Sequence, residues 1–374
     1  MTSDVQNSKP RVVVAMSGGV DSSVAAYLLA REGYDVVGVT MRLWVGDDED
    51  ITPDHQGCCS IEDIEDARMV CQTLGVPHYV INVEREFREH VMDYFVAEYA
   101  AGRTPHPCIA CNDRIKFDFL MRRAQMLDAQ FVATGHYARV VRDETTGERS
   151  LLKGVDDGKD QSYVLYGLTA ELLDHVLFPV GWYSKSEIRE LAREADLHLA
   201  DKQDSQDICF IPKGDYREFL QKRLDPHPGE LVHMDGRILG EHKGIEYFTV
   251  GQRRGLGIKP TNPVSEPLFV TWVDPESRRV YLGPEEALYQ RYVHVSAANY
   301  VGGSAPQGPV QVTAKIRYTG LDAPATLESH TDGSATLTFD EPQRAAAPGQ
   351  AAVFFQGDRV LGGGVVEATT APAV

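Results

Sequence analysis

The stretch that decides the fold is Arg11-Val-Val-Val-Ala-Met16, then Ser17-Gly-Gly-Val-Asp-Ser-Ser23, then Val24-Ala-Ala-Tyr-Leu-Leu-Ala-Arg31. A short β-branched run, a glycine-rich turn and a run of helix formers predict strand, phosphate-sized loop and helix. Paired glycines let the backbone approach an oxyanion, the helix N-terminus offers unpaired N–H groups and a positive dipole end, and the serines add hydroxyl donors. The loop suits a pyrophosphate. It has no Gly-Lys-Ser/Thr, so it is not a Walker A loop, and it lacks the third glycine of the dinucleotide fingerprint. A bare Gly-Gly reads instead as a turn that needs glycine, with serine capping.

Working outward, Asp35-Val-Val-Gly-Val-Thr-Met41 predicts a second strand. A polar loop from Asp47 to Gly57 precedes a helix from about Ser60 to Leu74, whose Ser60-Ile-Glu-Asp63 start has the form of a capping box. His78-Tyr-Val-Ile-Asn-Val83 predicts a strand, Phe117 to Leu127 a helix, and Gln130-Phe-Val-Ala-Thr-Gly-His136 a strand. Strands alternating with helices imply an α/β fold with a parallel sheet covered on both faces and a ligand at the carboxyl ends of its strands. Helical patterning, including Ser184 to Glu194, continues to about residue 206. Near Pro212 the texture changes to Gly, Pro and short alternating runs such as Leu268 to Val273, Val280 to Leu282, Val310 to Tyr318, Ala335 to Phe339 and Ala351 to Phe355. These predict a small β-rich central domain and a C-terminal β-barrel, giving expected domains at 1–212, 213–284 and 285–374.

At 374 residues the chain is long enough for two or three cores, and 43% hydrophobic with 25% charged residues is ordinary globular composition. No apolar run approaches the ~18 residues of a membrane span, and the start lacks the apolar core of a secretory signal. The expectation is a cytoplasmic protein with no membrane partner. Net charge is −18, which argues against a polyanionic partner until its distribution is read. Residues 1–210 carry 21 basic against 36 acidic side chains; residues 211–374 carry 16 against 19. Within the second part, Arg237, Lys243, Arg253, Arg254 and Lys259 face only Glu241 and Glu246, so a local basic surface is available.

The six cysteines, Cys58, Cys59, Cys71, Cys108, Cys111 and Cys209, are too few for a disulfide scaffold. Cys71 lies on the apolar face of a predicted helix and reads as core. Cys108 and Cys111 form a CxxC, a pattern that serves redox exchange, persulfide chemistry or metal ligation. Cys209, between Ile208 and Phe210, reads equally well as a buried strand thiol.

Taken together, SGGVDSS, GCCSIEDIEDAR, the Thr104-Pro-His-Pro-Cys-Ile-Ala-Cys-Asn-Asp-Arg-Ile-Lys-Phe117 segment, ATGHYAR, KDQSYVLY, SQDICFI and GEHKGIEYFTVGQRRGLGI resemble the tRNA-specific 2-thiouridylase family. That family lies within the PP-loop ATP pyrophosphatases, and the strings run in order from residue 11 to about 259. The resemblance implies a PP-loop domain, a central domain and a C-terminal β-barrel, and ATP-dependent replacement of the C2 oxygen of the wobble uridine by sulfur in tRNAs for Lys, Glu and Gln. It implies ATP contacts at Ala15, Met16, Ser17, Gly18, Gly19, Val20, Asp21, Ser22, Met41 and Gly135, with Asp21 helping to hold magnesium and pyrophosphate. It implies a persulfide on Cys209, delivered by a cysteine desulfurase or sulfur-relay protein. Cys111 is then the second catalytic cysteine, freeing sulfide or closing a disulfide with Cys209. His136, Lys159, Asp160, Gln161, Arg317, Tyr318 and Gln350 match positions that touch tRNA, although Arg317 and Tyr318 alone read as strand surface.

One departure stands out. Many members carry aspartate three residues before the first catalytic cysteine, where this chain has Cys108. Proton transfer then falls to another group, or Cys108, Cys111 and Cys209 form a three-thiolate site for an iron-sulfur cluster. Two further readings remain open: an amide-forming PP-loop ligase, for which the cysteines are dispensable, and a noncatalytic tRNA-binding module with a purely structural loop.

Overall fold

The computed structural model describes residues 9–43, 60–203, 208–211, 215–258 and 267–367. Cys58, Cys59, Lys259, the polar loop from Asp47 to Gly57 and the boundary at Pro212 lie outside the described residues. The chain divides into two compact units, one of Met1–His90 with Cys108–Gly214, the other of Val91–Pro107 with Asp215–Val374.

The first unit is built on a five-stranded parallel sheet. Its strands are β1 (Arg11–Ala15), β2 (Asp35–Arg42), β3 (His78–Asn82), β4 (Phe131–Ala133) and β7 (Val176–Leu177), in the order β3-β2-β1-β4-β7. Val12, Val13 and Val14 are wholly buried, as a β-branched run must be in a central parallel strand covered on both faces. Helix α1 (Val20–Arg31) packs against α2 (Ile61–Leu74) and α3 (Lys185–Glu194), and Val24, Leu28, Val70, Ile188 and Ala192 share one core. Ser60 and Ser184 each close a capping box, with Asp63 and Glu187 respectively, so local chemistry sets the starts of α2 and α3.

Two expectations need correction. The helix read over Phe117 to Leu127 begins at Pro107 and runs through Cys111–Phe119 and Leu120–Gln125, Pro being well tolerated in a first turn. Helical structure does not continue unbroken to residue 206, because β5 (Ala138–Arg142) and β6 (Arg149–Lys153) form an antiparallel hairpin. Its turn is set by Asp143, whose carboxylate accepts from the backbone N–H groups of Thr145 and Thr146, and by Gly147 at φ 76°.

Among the described residues, the second unit has one apolar core around Val270 and Leu282 and another around Leu337 and Phe354. A four-stranded sheet of β8 (Gly229–His233), β9 (Ile238–His242), β10 (Phe269–Asp274) and β11 (Arg279–Gly283) has the order β10-β11-β8-β9. Six antiparallel strands follow: β12 (Tyr289–Tyr300), β13 (Val310–Lys315), β14 (Ala323–Ser329), β15 (Ala335–Arg344), β16 (Ala351–Gln356) and β17 (Arg359–Val366). Pairing of β12 with β17 closes them into a barrel, which removes the exposed edges of an open sheet. The helix Asp93–Ala100 packs within this unit: Tyr99 stacks on Tyr216 with ring centroids 4.9 Å apart, and Phe95 meets Phe219 edge-on. Among the described residues no helix is long and apolar enough to cross a membrane.

Arg103 ties this helix to the barrel. Its guanidinium donates to Glu98 at 2.8 Å and to Glu367 at 2.7 Å, and Glu367 also accepts from Ser296. Removing the guanidinium leaves two half-buried carboxylates without their common cation. Arg103→Met should therefore lower unfolding stability by on the order of 2 kcal/mol, allowing for partial exposure. Chemical denaturation at neutral pH measures it, and an unchanged midpoint would show that the clamp contributes nothing.

Candidate active site

The glycine-rich loop sits at the carboxyl end of β1 and opens directly into the first turn of α1. Gly18 adopts φ 72°, and a Cβ there would lie 2.4 Å from the carbonyl oxygen of Asp63 in α2, so glycine is required twice over. The serines hold the loop closed. The Ser17 backbone N–H donates to Ser22 Oγ at 3.2 Å, while Ser22 Oγ and Ser23 Oγ donate to the Gly19 carbonyl at 3.1 and 2.8 Å. Gly135, just beyond β4, presses on the same helix turn, since a Cβ there would lie 2.6 Å from the Ser22 nitrogen. Met41, near the carboxyl end of neighbouring β2, is buried. The predicted nucleotide residues are thus gathered at one end of the sheet, with a bare helix N-terminus among them.

Two lysines that sequence reading missed complete this end of the unit. Lys185, the first residue of α3, places Nζ 2.7 and 2.9 Å from the two Asp21 carboxylate oxygens, and Tyr137 Oη donates to Asp21 at 2.7 Å. Lys202 Nζ donates to the Gly18 carbonyl, Asp63 and Asp66. Neither is within 100 residues of its partner in sequence, and helical periodicity marks Lys185 only as a polar first-turn residue. Magnesium in nucleotide sites takes one or two carboxylates and completes its shell with water and phosphate oxygens. Asp21, at the N-terminus of α1, is a carboxylate of that kind, and it is paired with the Lys185 ammonium.

The residues matched to tRNA contacts fall into two groups. In the first unit, Asp160 accepts from the backbones of Gly154 and Ser162, and Gln161 Oε1 accepts from the Tyr137 N–H. These side chains hold the turn that carries Tyr137 to Asp21, while the neighbouring Lys159 is half-buried. His136 is buried between Phe117 and Phe178 with Nδ1 2.6 Å from Thr134 Oγ1, and burial, aided by Lys116, holds it neutral with its pKa well below the usual imidazole value. In the second unit, Arg317 and Gln350 line one cavity of about 500 Å³ with Thr104, Tyr216, Arg217, Thr249 and Gln252. Gln350 donates to the Thr104 carbonyl at 2.9 Å, and the buried Nε of Arg317 makes no hydrogen bond among the described residues. Tyr318 is exposed, with His106 at its ring edge.

The thiols differ sharply in environment. Cys71 is buried in the core, which pushes its pKa up to about 11 and makes it inert, as its position on the helix suggested. Cys111 is buried, Cys209 half-buried and Cys108 exposed. The three-thiolate alternative is not formed: among the described residues no group of three or more His, Cys, Asp or Glu side chains is gathered to hold a metal. Cys108 and Cys111 lie on one helix but in opposite environments. Next to Cys111, Asn112 donates to the Val164 carbonyl, and Asp113 packs against Gly167 with one carboxylate oxygen buried and without a hydrogen-bond partner. Burial pushes the Asp113 carboxyl up to about 7, against the smaller opposing pull of Arg114. Two residues from Cys111 on a helix, Asp113 faces away from the thiol, so it does not replace the missing aspartate.

Comparison with known proteins bears on the whole chain. Residues 10–213 match a family model described as the tRNA methyl transferase HUP domain, 217–284 its PRC-barrel domain, and 290–366 an aminomethyltransferase β-barrel domain. The tRNA-specific 2-thiouridylase MnmA 2 of Caldanaerobacter subterraneus subsp. tengcongensis is 48% identical over 96% of this chain and 98% of its own. That of Clostridioides difficile is 45% identical over the same shares. Among solved structures, a 4-thiouridine synthetase–RNA complex with bound ATP covers 57% of this chain and 50% of its own at 17% identity, with a TM-score of 0.33.

The Asp113 carboxyl generates a pH prediction. Its folded pKa of about 7 lies above the unfolded value of 3.8, so the folded state holds a proton that the unfolded state has lost, and stability falls as pH rises from about 4 to 7. Asp113→Asn keeps the shape and removes the ionisation. Its Tm should exceed that of the parent by roughly 3–6 °C at pH 8 and match it at pH 4. Equal differences at both pH values would locate the effect elsewhere.

Proposed function

Because the chain belongs to the tRNA-specific 2-thiouridylase family, a family of tRNA sulfurtransferases, we propose that it replaces the C2 oxygen of the wobble uridine, position 34, by sulfur. The substrates are tRNAs for Lys, Glu and Gln, the activating co-substrate is ATP, and the compartment is the cytoplasm. The observation that carries this reading is the loop Ser17–Ser22 at the N-terminus of α1, ringed by Asp21, Lys185 and Gly135, within one unit that also holds Cys111 and Cys209. The division into domains 1–212, 213–284 and 285–374 is part of the same reading.

ATP lies along Ala15, Met16, Ser17, Gly18, Gly19, Val20, Asp21 and Ser22, with Met41 and Gly135 flanking it. Backbone N–H groups of the loop and the first turn of α1 hold the phosphates, and Lys185 turns from Asp21 to the pyrophosphate as negative charge arrives. Bound with ATP and held by Asp21, magnesium supplies neutralisation of phosphate charge. The uridine O2 attacks the α-phosphorus, the α–β bond breaks, pyrophosphate leaves, and C2 now bears AMP as a leaving group. Cys209 carries a persulfide loaded by a cysteine desulfurase or relay protein. The Cys111 thiolate attacks Cys209 Sγ, forming a Cys111–Cys209 disulfide and releasing sulfide, which adds at C2 and expels AMP. An external thiol reductant restores both cysteines. On the RNA side, His136, Lys159, Asp160 and Gln161 act in the first unit and Arg317, Tyr318 and Gln350 in the second; buried His136 acts by shaping the surface above it.

The test uses the full chain, a tRNA transcript, ATP and a persulfide donor, with pyrophosphate release and 2-thiouridine measured separately. Release should require tRNA. Asp21→Ala should lower it on the order of a hundredfold. Cys111→Ser and Cys209→Ser should release pyrophosphate yet form no 2-thiouridine, while Cys108→Ser keeps most of both. Ammonia-dependent turnover without the cysteines would favour an amide-forming ligase, and no pyrophosphate release under any condition would leave only a binding module.

Binding to tRNA should also weaken steeply with salt despite the net charge of −18, because Lys243, Arg253 and Arg254 are exposed and each neutralised phosphate adds about −0.7 to −0.9 to the log–log slope. Arg253→Glu with Arg254→Glu should flatten the slope by roughly 1.5. An unaltered slope would place the RNA on another surface.

A further inference from the structure

Cys108 has no part in the chemistry just described, although it shares a CxxC with Cys111. The two belong to the helical segment that begins at Pro107 and runs on through Cys111–Phe119. Three residues apart on a helix, their Cα atoms stand about 5 Å from each other. A disulfide spans Cα separations of roughly 4.4–6.8 Å, so the pair is within bonding reach. Their surroundings differ as a dithiol relay requires. Cys108 is exposed, whereas Cys111 is only 7% exposed. Buried Asn112 fixes the backbone beside Cys111 by donating to the Val164 carbonyl at 2.8 Å, and Ile115, one turn on, is wholly buried. The Cys209 end is sheltered as well. Its neighbour Phe210 is buried and meets Phe87 edge-on with ring centroids 5.7 Å apart, and the short helix Glu84–Phe87 packs against Cys111–Phe119. Each round of sulfide release leaves Cys111 joined to Cys209, and that bond must be reduced before the next round. A protein reductant reaches an exposed sulfur far more readily than one buried to this depth.

We propose that Cys108 is a resolving cysteine, which takes over the disulfide from Cys209, carries it to the surface as a Cys108–Cys111 bond and passes it to an external dithiol protein. The proposal rests on the functional reading above in taking the Cys111–Cys209 disulfide as the product of sulfide release. The Cys108 thiolate attacks Cys111 Sγ. A Cys108–Cys111 bond forms, the Cys111–Cys209 bond breaks, and its electron pair leaves with Cys209 as a thiolate, ready for the next persulfide sulfur; nothing is oxidised or reduced overall. One thiolate of the external dithiol then attacks the exposed Cys108 Sγ, and Cys111 leaves as a thiolate. The second thiol of the reductant attacks the mixed disulfide and frees Cys108. Two electrons and two protons pass from the reductant, which ends as a disulfide, to Cys108 and Cys111. The position at which many family members carry aspartate thus serves reduction in this chain.

The experiment uses the full chain, as parent and as Cys108→Ser, a change at an exposed site that costs little stability. Each protein is oxidised with one equivalent of diamide, without tRNA or ATP, then quenched in acid and alkylated, and its disulfides are mapped by peptide mass spectrometry. The parent should carry mainly Cys108–Cys111, and Cys108→Ser should carry Cys111–Cys209. Reduction of the oxidised proteins by thioredoxin should be at least roughly tenfold slower for Cys108→Ser. Dithiothreitol, small enough to reach a half-buried sulfur, is the control and should reduce both at rates within about twofold of each other. A parent without a Cys108–Cys111 bond, a Cys108–Cys209 bond in its place, or equal thioredoxin rates for the two proteins overturns the proposal. Failure of the reduced parent to form 2-thiouridine from tRNA, ATP and a persulfide donor overturns the functional reading instead, and the disulfide map still decides whether Cys108 and Cys111 exchange.

Discussion

The first turn of α1 is confined between two glycines. Gly18 meets the backbone of Asp63 and Gly135 meets the backbone of Ser22, each so closely that a single methyl group would push α2 or β4 away from the loop. Because β1, β2 and β4 are hydrogen-bonded neighbours, displacing any of them disturbs the whole parallel sheet. The loop therefore stays at the carboxyl ends of the strands, where an open α/β sheet presents its ligand. Its serine hydroxyls close the loop on itself, leaving the helix N-terminus to meet an anion.

Electrostatics then adapts that site to an acidic protein. Phosphate chemistry needs local cations, and residues 1–210 carry a large acidic excess. The fold answers with two lysines set among aspartates: Lys185 on Asp21, and Lys202 on Asp63 and Asp66. A half-buried ammonium with two or three acceptors is held in place without an anion present, and removing one partner costs more than the pair contributes. Two ammonium groups against three carboxylates leave the cluster with much of its negative charge balanced.

What the sequence makes legible is what local chemistry determines. The β-branched run of β1, the capping box at Ser60 and the alternating runs of the barrel each specify their element within a few residues, and each is found where the pattern places it. The hairpin of β5 and β6 was hidden because its strands are short and its turn depends on an Asp143 side chain bonding to the backbone. Lys185 and Lys202 were hidden because their partners lie 164 and 184 residues away, a separation that no periodicity encodes. The internal bonds of Asp160 and Gln161 and the burial of His136 are likewise tertiary facts that no local pattern carries.

Acting on RNA makes two different physical demands on a protein. Attraction to a polyanion is a property of exposed charge, and here Lys243, Arg253 and Arg254 of the second unit are free of the acidic excess that burdens the first. Activation and sulfur transfer instead need buried or half-buried groups: a helix N-terminus, neutralised carboxylates and thiols shielded from water. A single surface cannot be both strongly solvated and shielded. Separate cores in the two units let each surface meet its own requirement, since substitutions that repack the barrel around Leu337 and Phe354 do not touch the packing of α1 on β1. That independence lets a chain with a net charge of −18 keep exposed cations on its second unit.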